Sequence, residues 1–304
     1  MPSRRCWEGI LFVGLVHDMH TIGFIGAGTV GTALAVRLRE KGYPVTAVAS
    51  RTPASAERLA SMVNGCQVHH SGQAVADVAE MVFITTPDGA IAQVAAQVQW
   101  HPGQSVIHCS GADSLDVLEP ATKAGAQAGA FHPLQTLASI AHAIENIPGS
   151  TFALEAEEPL LSDLKEMAQA LHGRWIELGP GDKVLYHAAA VMACNYMVTL
   201  VKLATDLWQT FGVPTSEATQ ALLPLLRGTV NNIGNVGLPN CLTGPIARGD
   251  LGTIQKHLKS LEAKAPRLAA TYRELGRQTV PIALAKGRID EQRAKELYQL
   301  LNQS

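Results

Sequence analysis

The chain has 304 residues, of which 47% are hydrophobic and 16% are charged. This is ample apolar material for two cores, so a very small domain and a disordered chain are excluded. Lys and Arg (24) nearly balance Asp and Glu (26), and no basic cluster follows Arg5, so the pattern typical of nucleic-acid binding is missing. We expect the ligand to be a small molecule.

The N-terminus and the cysteines favour a cytoplasmic protein. The five cysteines are widely spaced and form no C-x-x-C pair, which argues against zinc, redox exchange and a disulfide framework. No other ligand cluster has the spacing of a metal site. The apolar run at 10–16 is too short to span a bilayer. We expect residues 1–18 to be a disordered or misassigned extension, with Met19 as the working start.

From Met19 onward, short β-rich runs alternate with helical patterns, as expected of a parallel sheet with helices on its faces. The predicted strands are 21–25, 45–49, 66–69, 81–85, 105–109 and 127–131, with a further pair at 151–154 and 175–178. The predicted helices are 30–40, 55–62, 91–98, 114–124 and 158–171. Residues 19–179 are therefore assigned to the α/β class, as a Rossmann-type doubly wound parallel sheet.

The sequence pattern changes after Gly179-Pro180-Gly181, where β-rich runs give way to long Ala/Leu-rich helical patterns. We place a domain boundary there and predict an all-α domain over 180–304. Its predicted helices are 183–211, 217–232, 252–275 and 290–302. Segment 185–203 is apolar nearly all round, which favours burial against a second subunit. We expect a homodimer formed through this domain.

A glycine-rich motif lies between the first predicted strand and the first predicted helix. Its residues are Gly26, Ala27, Gly28, Thr29, Val30 and Gly31. In such a motif the first glycine allows a tight turn, the second lets the backbone approach a pyrophosphate, and the third lets helix pack on strand. The free N–H groups at the helix start hold the anion. The motif in this position predicts dinucleotide binding.

The end of the second strand indicates which dinucleotide binds. An enzyme that prefers NAD usually carries Asp or Glu there, whereas this chain has Ser50, Arg51 and Thr52. A guanidinium and two hydroxyls suit a 2′-phosphate, so NADPH is favoured over NADH. The alternative is an ordinary exposed loop arginine.

The fourth and fifth strands also end in small polar residues at the carboxyl edge of the sheet, where ligands of open α/β sheets bind. Thr86 and Pro87 are predicted to line the cofactor, and Ser110 is predicted to contact the substrate. The alternatives are a plain strand-to-helix turn for the first two and a turn or helix cap for the serine.

The stretch "AFHPLQT" puts His132 directly after the sixth predicted strand, at the same edge, with Gln135 beside it as a candidate substrate contact. Imidazole titrates near neutrality, so His132 could donate a proton as hydride reaches a carbonyl or imine carbon. Alternatively, His132 only bonds to backbone in a rigid corner next to Pro133.

The helix "KVLYHAAAVMACN" carries Lys183, His187 and Cys194 on one face, with Asn195 farther round. If this face meets the nicotinamide, Lys183 could protonate or polarise the substrate and Asn195 could orient it, and His187 is a further catalytic candidate. Alternatively, the lysine is a solvated end group and His187 a satisfied core histidine.

A second polar segment, "LTGPIARGD", concentrates Thr243, Arg248 and Asp250 between helices. Arg248 is a natural anchor for a substrate carboxylate, because its planar guanidinium can make two parallel hydrogen bonds. Alternatively, the segment is a tight interhelical loop in which Asp250 caps the next helix.

Together, the glycine-rich loop and the three quoted motifs resemble a bacterial oxidoreductase family that joins a Rossmann-like domain to a C-terminal helical domain of unknown function. This family is distantly similar to 2-dehydropantoate reductase, pyrroline-5-carboxylate reductase and 6-phosphogluconate dehydrogenase. The resemblance implies a cofactor domain, a helical dimerising domain like that of 6-phosphogluconate dehydrogenase, and an active site between the two. Lys183 and Asn195 loosely match a lysine and an asparagine that some relatives use.

The resulting hypothesis is an NADPH-dependent reductase of a small keto acid, with 2-dehydropantoate as the best single candidate. An imine reductase of the pyrroline-5-carboxylate type is the alternative, although "YHAAAVMACN" lacks the Ser-Gly-rich signature of that family. A non-catalytic NADP-binding sensor is the second alternative. Fold-level kinship does not identify a substrate.

Overall fold

The computed structural model describes residues 20–303, so the predicted extension at 1–18 lies outside the described residues. The chain divides into two compact units, the first ending at Val191 and the second beginning at Met192. The division falls inside a helix, whereas the domain boundary predicted from the change of sequence pattern lies at 179–181. The first turns of that helix contact the sheet, and composition does not reveal such contacts.

The first unit contains one eight-stranded sheet in the order β3-β2-β1-β4-β5-β6-β7-β8. Its strands are β1 Ile22–Ile25, β2 Val45–Ala49, β3 Gln67–Val68, β4 Met81–Ile84, β5 Ser105–His108, β6 Gln127–Leu134, β7 Thr151–Ala156 and β8 Arg174–Glu177. Every predicted strand is present, and the predicted further pair extends the sheet as β7 and β8. The Rossmann-type α/β fold is therefore confirmed.

Helices connect the strands of this sheet. They are α1 Thr29–Glu40, α2 Pro53–Met62, α3 Gly72–Ala76, α4 Asp88–Gln97, α5 Glu119–Lys123, α6 Ile140–Asn146 and α7 Leu160–Ala170. Helix α8 Asp182–Ala193 follows the last strand. The predicted helix at 114–124 begins as a 3₁₀ turn, Leu115–Leu118. The short helices α3 and α6 were not predicted from the sequence. The N-cap of α6, Ser139, accepts a hydrogen bond from the His142 N–H.

Strand β6 is longer than predicted, and this changes the position of His132. All neighbouring strands pair in parallel except β6 and β7, which are antiparallel. Strand β6 continues past the end of β5, because its last residues pair with β7. His132 pairs with Ala153, and Leu134 pairs with Thr151. The expectation that His132 follows the sixth strand was therefore wrong, because the residue lies within β6.

A row of four aromatic rings marks the core on one face of the sheet. Phe24 stacks on Phe83 with ring centroids 5.2 Å apart, and Phe131 stacks on Phe152 at 4.5 Å. All four side chains are fully buried, and each contributes about 1.5–3 kcal/mol through burial. Because side chains alternate along a strand, His132 points to the face opposite Phe131.

The second unit is helical, which confirms the predicted all-α C-terminal part. Its helices are α9 Asn195–Gln209, α10 Thr215–Val236, α11 Leu251–Lys264, α12 Pro266–Ala285 and α13 Glu291–Asn302. Two predicted helices were too long. The helix predicted at 183–211 is interrupted at Cys194, and the one at 252–275 is interrupted at Ala265, where Pro266 starts a new helix. Proline favours the first turn of a helix because its missing N–H would have no partner there.

The core of the second unit lies among α11, α12 and α13. It is formed by Ile254, Leu258, Val280, Ala283, Leu297 and Leu301. Helices α9 and α10 instead expose large apolar side chains, including Val198 (69% exposed) and Leu225 (67%). By length and composition alone, the stretch Asp182–Gln209, with a mean hydropathy of 1.5, could also cross a membrane.

Candidate functional site

The glycine-rich loop is fixed against the end of β4. Gly26 has φ of +115°, and a Cβ there would lie 2.7 Å from the Thr85 carbonyl carbon. A Cβ on Gly31 would lie 2.3 Å from Thr85 Oγ1. The Thr85 hydroxyl donates a hydrogen bond to the Gly26 carbonyl at 2.7 Å. Two of the three glycines are therefore required by the packing of the loop itself.

Gly28, the remaining glycine of the motif, faces open space. A Cβ on Gly28 would meet no atom within 4 Å, so packing does not explain why glycine is needed there. Gly28 is also the N-cap of α1, and no side chain caps this helix. The first N–H groups of α1, from Thr29 and Val30, therefore lack intrahelical partners and point toward the loop. A pyrophosphate fits this arrangement of donors and open space.

The predicted 2′-phosphate residues lie at the end of β2, where Arg51 and Thr52 are exposed. Ser50 Oγ accepts a hydrogen bond from the Thr52 N–H at 3.4 Å. The sequence analysis missed Arg58, whose Nη2 donates to the Ala27 carbonyl at 3.5 Å and so lies against the glycine-rich loop. Its only sequence signal is its place in the helix that follows Arg51.

The other predicted cofactor residues follow β4. Thr86 Oγ1 is buried without a hydrogen-bond partner, and Pro87 is the N-cap of α4. The free hydroxyl leaves Thr86 able to bond a ligand.

One row of paired residues crosses β5, β6 and β7 near the carboxyl ends of the parallel strands. His108 pairs with Ala130, and Ala130 pairs with Glu155. Residues paired in this way project to the same face of the sheet. The pair His132 and Ala153 lies two residues farther along β6 on that face. The two alanines leave room above the sheet between larger polar side chains.

Helix α8 provides the other half of the site. Lys183, Tyr186, His187 and Ala190 share one face at the i, i+3, i+4, i+7 spacing and are at most partly exposed, whereas Val184 and Leu185 are exposed. Lys183 is only 3% exposed although it lies in the first turn. The interpretation of Lys183 as a solvated end group is therefore wrong.

His132 is held by α8 rather than by backbone groups. Its Nδ1 lies 2.8 Å from the Tyr186 hydroxyl, and its ring meets that of His187 edge-on at 6.3 Å. A Cβ on Gly111 would lie 2.9 Å from His132 Nε2 and 2.7 Å from His187 Cδ2. Only glycine at 111 leaves room for both imidazoles. Tyr186 was missed, although its i+3 spacing from Lys183 could have revealed it.

Burial keeps His132 neutral. It lowers the pKa of His132 from 6.5 to about 4, with smaller effects from Lys183 and His187. Burial also raises the pKa of Tyr186 to about 12. At neutral pH this hydrogen-bonded pair therefore carries no charge and can act only through neutral N–H and O–H groups.

Lys183 contributes a buried amine to the site. Its amine is buried without a hydrogen-bond partner. Burial lowers its pKa from 10.5, and this effect is partly offset first by Glu155 and then by Cys109, Asp113 and Asp88. An amine whose pKa moves toward neutrality is suited to donate a proton.

His108, which was not singled out from the sequence, is a fixed neutral donor in the row of paired residues on β5, β6 and β7. Its Nδ1 accepts a hydrogen bond from the Ser110 N–H at 3.2 Å, so the ring hydrogen is on Nε2, which is buried and unpartnered. Burial, together with Lys183, lowers the pKa of His108 to about 3. Burial raises the pKa of Cys109 to about 12, so this thiol is also neutral.

Two predicted substrate residues of the first unit make local bonds. Ser110 Oγ accepts the N–H groups of Ala112 at 3.2 Å and Asp113 at 3.0 Å, as in the capping alternative. The Gln135 side chain donates to the Asn146 carbonyl at 3.2 Å. Both side chains therefore shape loops at the edge of the sheet.

The remaining candidates belong to the second unit. Asn195 begins α9 and is exposed, as are Thr243 and Arg248. Asp250 caps α11, since its Oδ1 accepts the Thr253 N–H at 3.0 Å. Arg248 Nη2 lies 3.9 Å from an Asp250 carboxylate oxygen, so most of its hydrogen-bonding capacity is free. The contacts of Asp250 are therefore those of a helix cap, as in the alternative interpretation. Arg248 stays a candidate anchor for a substrate carboxylate.

Comparison with known protein families identifies both parts of the chain. A family described as a Rossmann-like domain matches residues 13–133, and the domain of unknown function DUF2520 matches residues 150–279. The chain therefore resembles a Rossmann-like domain followed by a DUF2520 domain. No curated protein matches it.

Solved structures share this fold along most of the chain. A Bacteroides fragilis protein named as a candidate NADP oxidoreductase is 27% identical, with a TM-score of 0.69, and the match covers 87% of this chain and 99% of that one. A reductive aminase of Aspergillus terreus in complex with NADPH is 15% identical (TM-score 0.60; 93% and 92% covered). A pyrroline-5-carboxylate reductase of Coxiella burnetii is 18% identical (TM-score 0.58; 92% and 98% covered).

Proposed function

We propose that the protein is an NADPH-dependent oxidoreductase that reduces the carbonyl of a small keto acid. The observation that carries this proposal is the buried, unpartnered amine of Lys183 at the carboxyl edge of a sheet that also bears an open glycine-rich loop. A buried charge without a partner is costly, so proteins retain one mainly where it has a function. The Bacteroides protein, named for NADP, supports the cofactor.

The cofactor is held by the first unit. The N–H groups at the start of α1 bind the pyrophosphate, and Arg51, with Ser50 and Thr52, binds the 2′-phosphate that distinguishes NADPH from NADH. Thr86 and Pro87 line the cofactor beyond the loop. Bound NADPH supplies the hydride.

Lys183 donates the proton, because an ammonium group stabilises the negative charge that develops on the carbonyl oxygen. His132 is neutral at neutral pH, so it positions the oxygen through an N–H group instead of giving up a proton. Tyr186 fixes the ring of His132 by its hydrogen bond, and His187 packs beside His132 over Gly111. We therefore assign the proton to Lys183 and not to His132.

The substrate is a small carboxylate in this proposal. Arg248 binds the carboxylate through its free guanidinium N–H groups, while Thr243 and Asp250 shape the loop around it and Asn195 orients the substrate. Ser110 and Gln135 support the edge of the sheet. Among keto acids, 2-dehydropantoate is the first candidate to test.

Reduction of a C=N bond is the second candidate function. The likeness of fold to a reductive aminase and to a pyrroline-5-carboxylate reductase favours it. In an imine reduction, Lys183 would protonate the nitrogen. A sensor that binds NADPH without turnover is the non-catalytic alternative.

We further propose a cytoplasmic homodimer. The exposed apolar side chains of α9 and α10 provide the surface that a second copy would cover. The apolar stretch Asp182–Gln209 also contains the buried Lys183 and Tyr186, whose hydroxyl bonds His132 of β6. We therefore assign this stretch to subunit contacts and the active site, not to a membrane.

The test is NADPH oxidation by the purified protein with a panel of 2-keto acids, including 2-dehydropantoate, and of cyclic imines, including pyrroline-5-carboxylate. Keto acid turnover supports the main proposal, and imine turnover alone supports the second candidate. NADPH binding without turnover on either panel would favour the sensor. Failure to bind NADPH would refute all three.

A further inference from the structure

Besides Thr86 Oγ1, three polar atoms near the site are buried without hydrogen-bond partners. They are Lys183 Nζ, His108 Nε2 and Glu155 Oε2. His108 and Glu155 lie in one row of the sheet, separated only by Ala130, so their Cα atoms are about 10 Å apart. The charge of Lys183 acts on both of them. Lys183 lies one turn before Tyr186 on the same face of α8, and Tyr186 bonds His132 on this face of the sheet, so the buried amine faces a row that has a neutral donor at one end and a carboxyl group at the other.

Glu155 acts on this amine more strongly than the other acidic groups around it. Only part of its side chain is buried: Oε2 is enclosed and the residue as a whole is half-buried. Its carboxyl group can therefore ionise through contact with water while one oxygen stays in the protein interior, where charge interactions are strong. Burial raises the pKa of Glu155, and Lys183 opposes this effect.

The other groups that face Lys183 contribute less or carry no charge. Cys109, which follows β5, is a neutral thiol, and His108 and His132 are neutral imidazoles. Asp113, in the loop after β5, and Asp88, at the start of α4, act on Lys183 more weakly than Glu155 does. On α8 itself, Asp182 acts on Glu155 and His187 acts on His132.

We propose that Glu155 is a positioning residue whose carboxylate keeps the Lys183 amine protonated at neutral pH, so that the proton donor is charged before each turnover. This inference rests on the proposed function for its catalytic consequence, but the electrostatic pairing belongs to the protein alone. Without Glu155, the buried amine would lose its strongest stabilising charge and would release its proton at lower pH. An opposite charge at close range typically shifts a pKa by one to three units.

The direct test measures the titration of Lys183 without a substrate. The protein is labelled with ¹³C at lysine Cε, the Lys183 resonance is assigned from its loss in Lys183→Arg, and its chemical shift is followed against pH. In Glu155→Gln, we expect the midpoint to fall by about one pH unit or more. Glu155→Asp should restore part of the shift. Glu157→Gln is the matched control, because Glu157 lies on the same segment, is exposed, and has no effect on Lys183 comparable to that of Glu155.

Activity gives the second readout. In Glu155→Gln, kcat for NADPH oxidation should fall at pH 8 and recover at lower pH, whereas a merely structural defect would lower it at every pH. An unchanged Lys183 midpoint in folded Glu155→Gln would overturn the inference, even if the wild type is an active reductase. A shifted midpoint in a protein that turns over no keto acid or imine would support the pairing and refute the proposed function.

Discussion

Replacing Gly111 with alanine should damage the site through a contact that the structure defines closely. The new Cβ would lie 2.7 Å from His187 Cδ2 and 2.9 Å from His132 Nε2. Carbon contacts are normally about 3.5–4.0 Å, so each imidazole must move by up to about 1 Å. That movement is enough to break the 2.8 Å bond between His132 and Tyr186. Overpacking of this kind costs about 1–3 kcal/mol.

For a domain of this size, that cost corresponds to a fall in Tm of roughly 2–12 °C, and a displacement of about 1 Å at reacting groups can reduce kcat about 100-fold. Thermal unfolding and NADPH oxidation measure the two effects. Gly89→Ala is the control, because a Cβ there meets nothing within 4 Å. If Gly111→Ala matched wild type in both Tm and kcat, the packing of the two histidines around residue 111 would be wrong.

Three further predictions concern the cofactor and the pH dependence. Gly28→Ala should keep the wild-type Tm but weaken NADPH binding in a fluorescence titration. Gly31→Ala should lower the Tm itself, because its Cβ collides with the protein and that of Gly28→Ala does not. Equal Tm values for the two variants would contradict this. Arg51→Ala should raise the KM for NADPH and leave that for NADH nearly unchanged, and an equal rise for both cofactors would argue against a 2′-phosphate contact. The folded-state pKa of His132 is about 4 and its unfolded pKa is about 6.5, so the unfolded chain binds the proton more readily. The contribution of neutral His132 to the free energy of unfolding is therefore complete above pH 6.5 and falls by about 2 kcal/mol at pH 5. Denaturant unfolding should therefore show a shallower loss of stability at low pH in His132→Asn than in wild type, and parallel curves would refute the neutral histidine.

The fold could be predicted largely from local patterns. The glycine-rich loop and the alternation of strands and helices specify the Rossmann-type unit, since each depends on neighbours along the chain. The end of β6 could not be predicted, because residues 132–134 are held by antiparallel pairing with β7, a contact that period and propensity do not encode. The helix break at Cys194 was missed because the apolar pattern continues across it.

Some residues of the candidate site could likewise be predicted from the local sequence, whereas others depend on contacts between distant segments. Lys183 and His132 could be found because a charged or titratable residue in an apolar stretch is conspicuous. Glu155 could not, because its place opposite Ala130 depends on strand register. Gly111 was passed over because its sequence neighbours are polar loop residues, and its importance depends on two imidazoles that come from β6 and α8. Helical spacing alone could have revealed Tyr186.

The central claim is that Lys183 donates the proton in an NADPH-dependent reduction. The most direct measurement is single-turnover NADPH oxidation, with the substrate found in the panel, for wild type, Lys183→Met and His132→Asn, alongside the NADPH Kd of each. If Lys183 is the proton donor, Lys183→Met will bind NADPH normally and lose at least about 100-fold in rate, at the lower end of what a general acid contributes, whereas His132→Asn will lose less. Wild-type rates in Lys183→Met, with the main loss in His132→Asn, would contradict it.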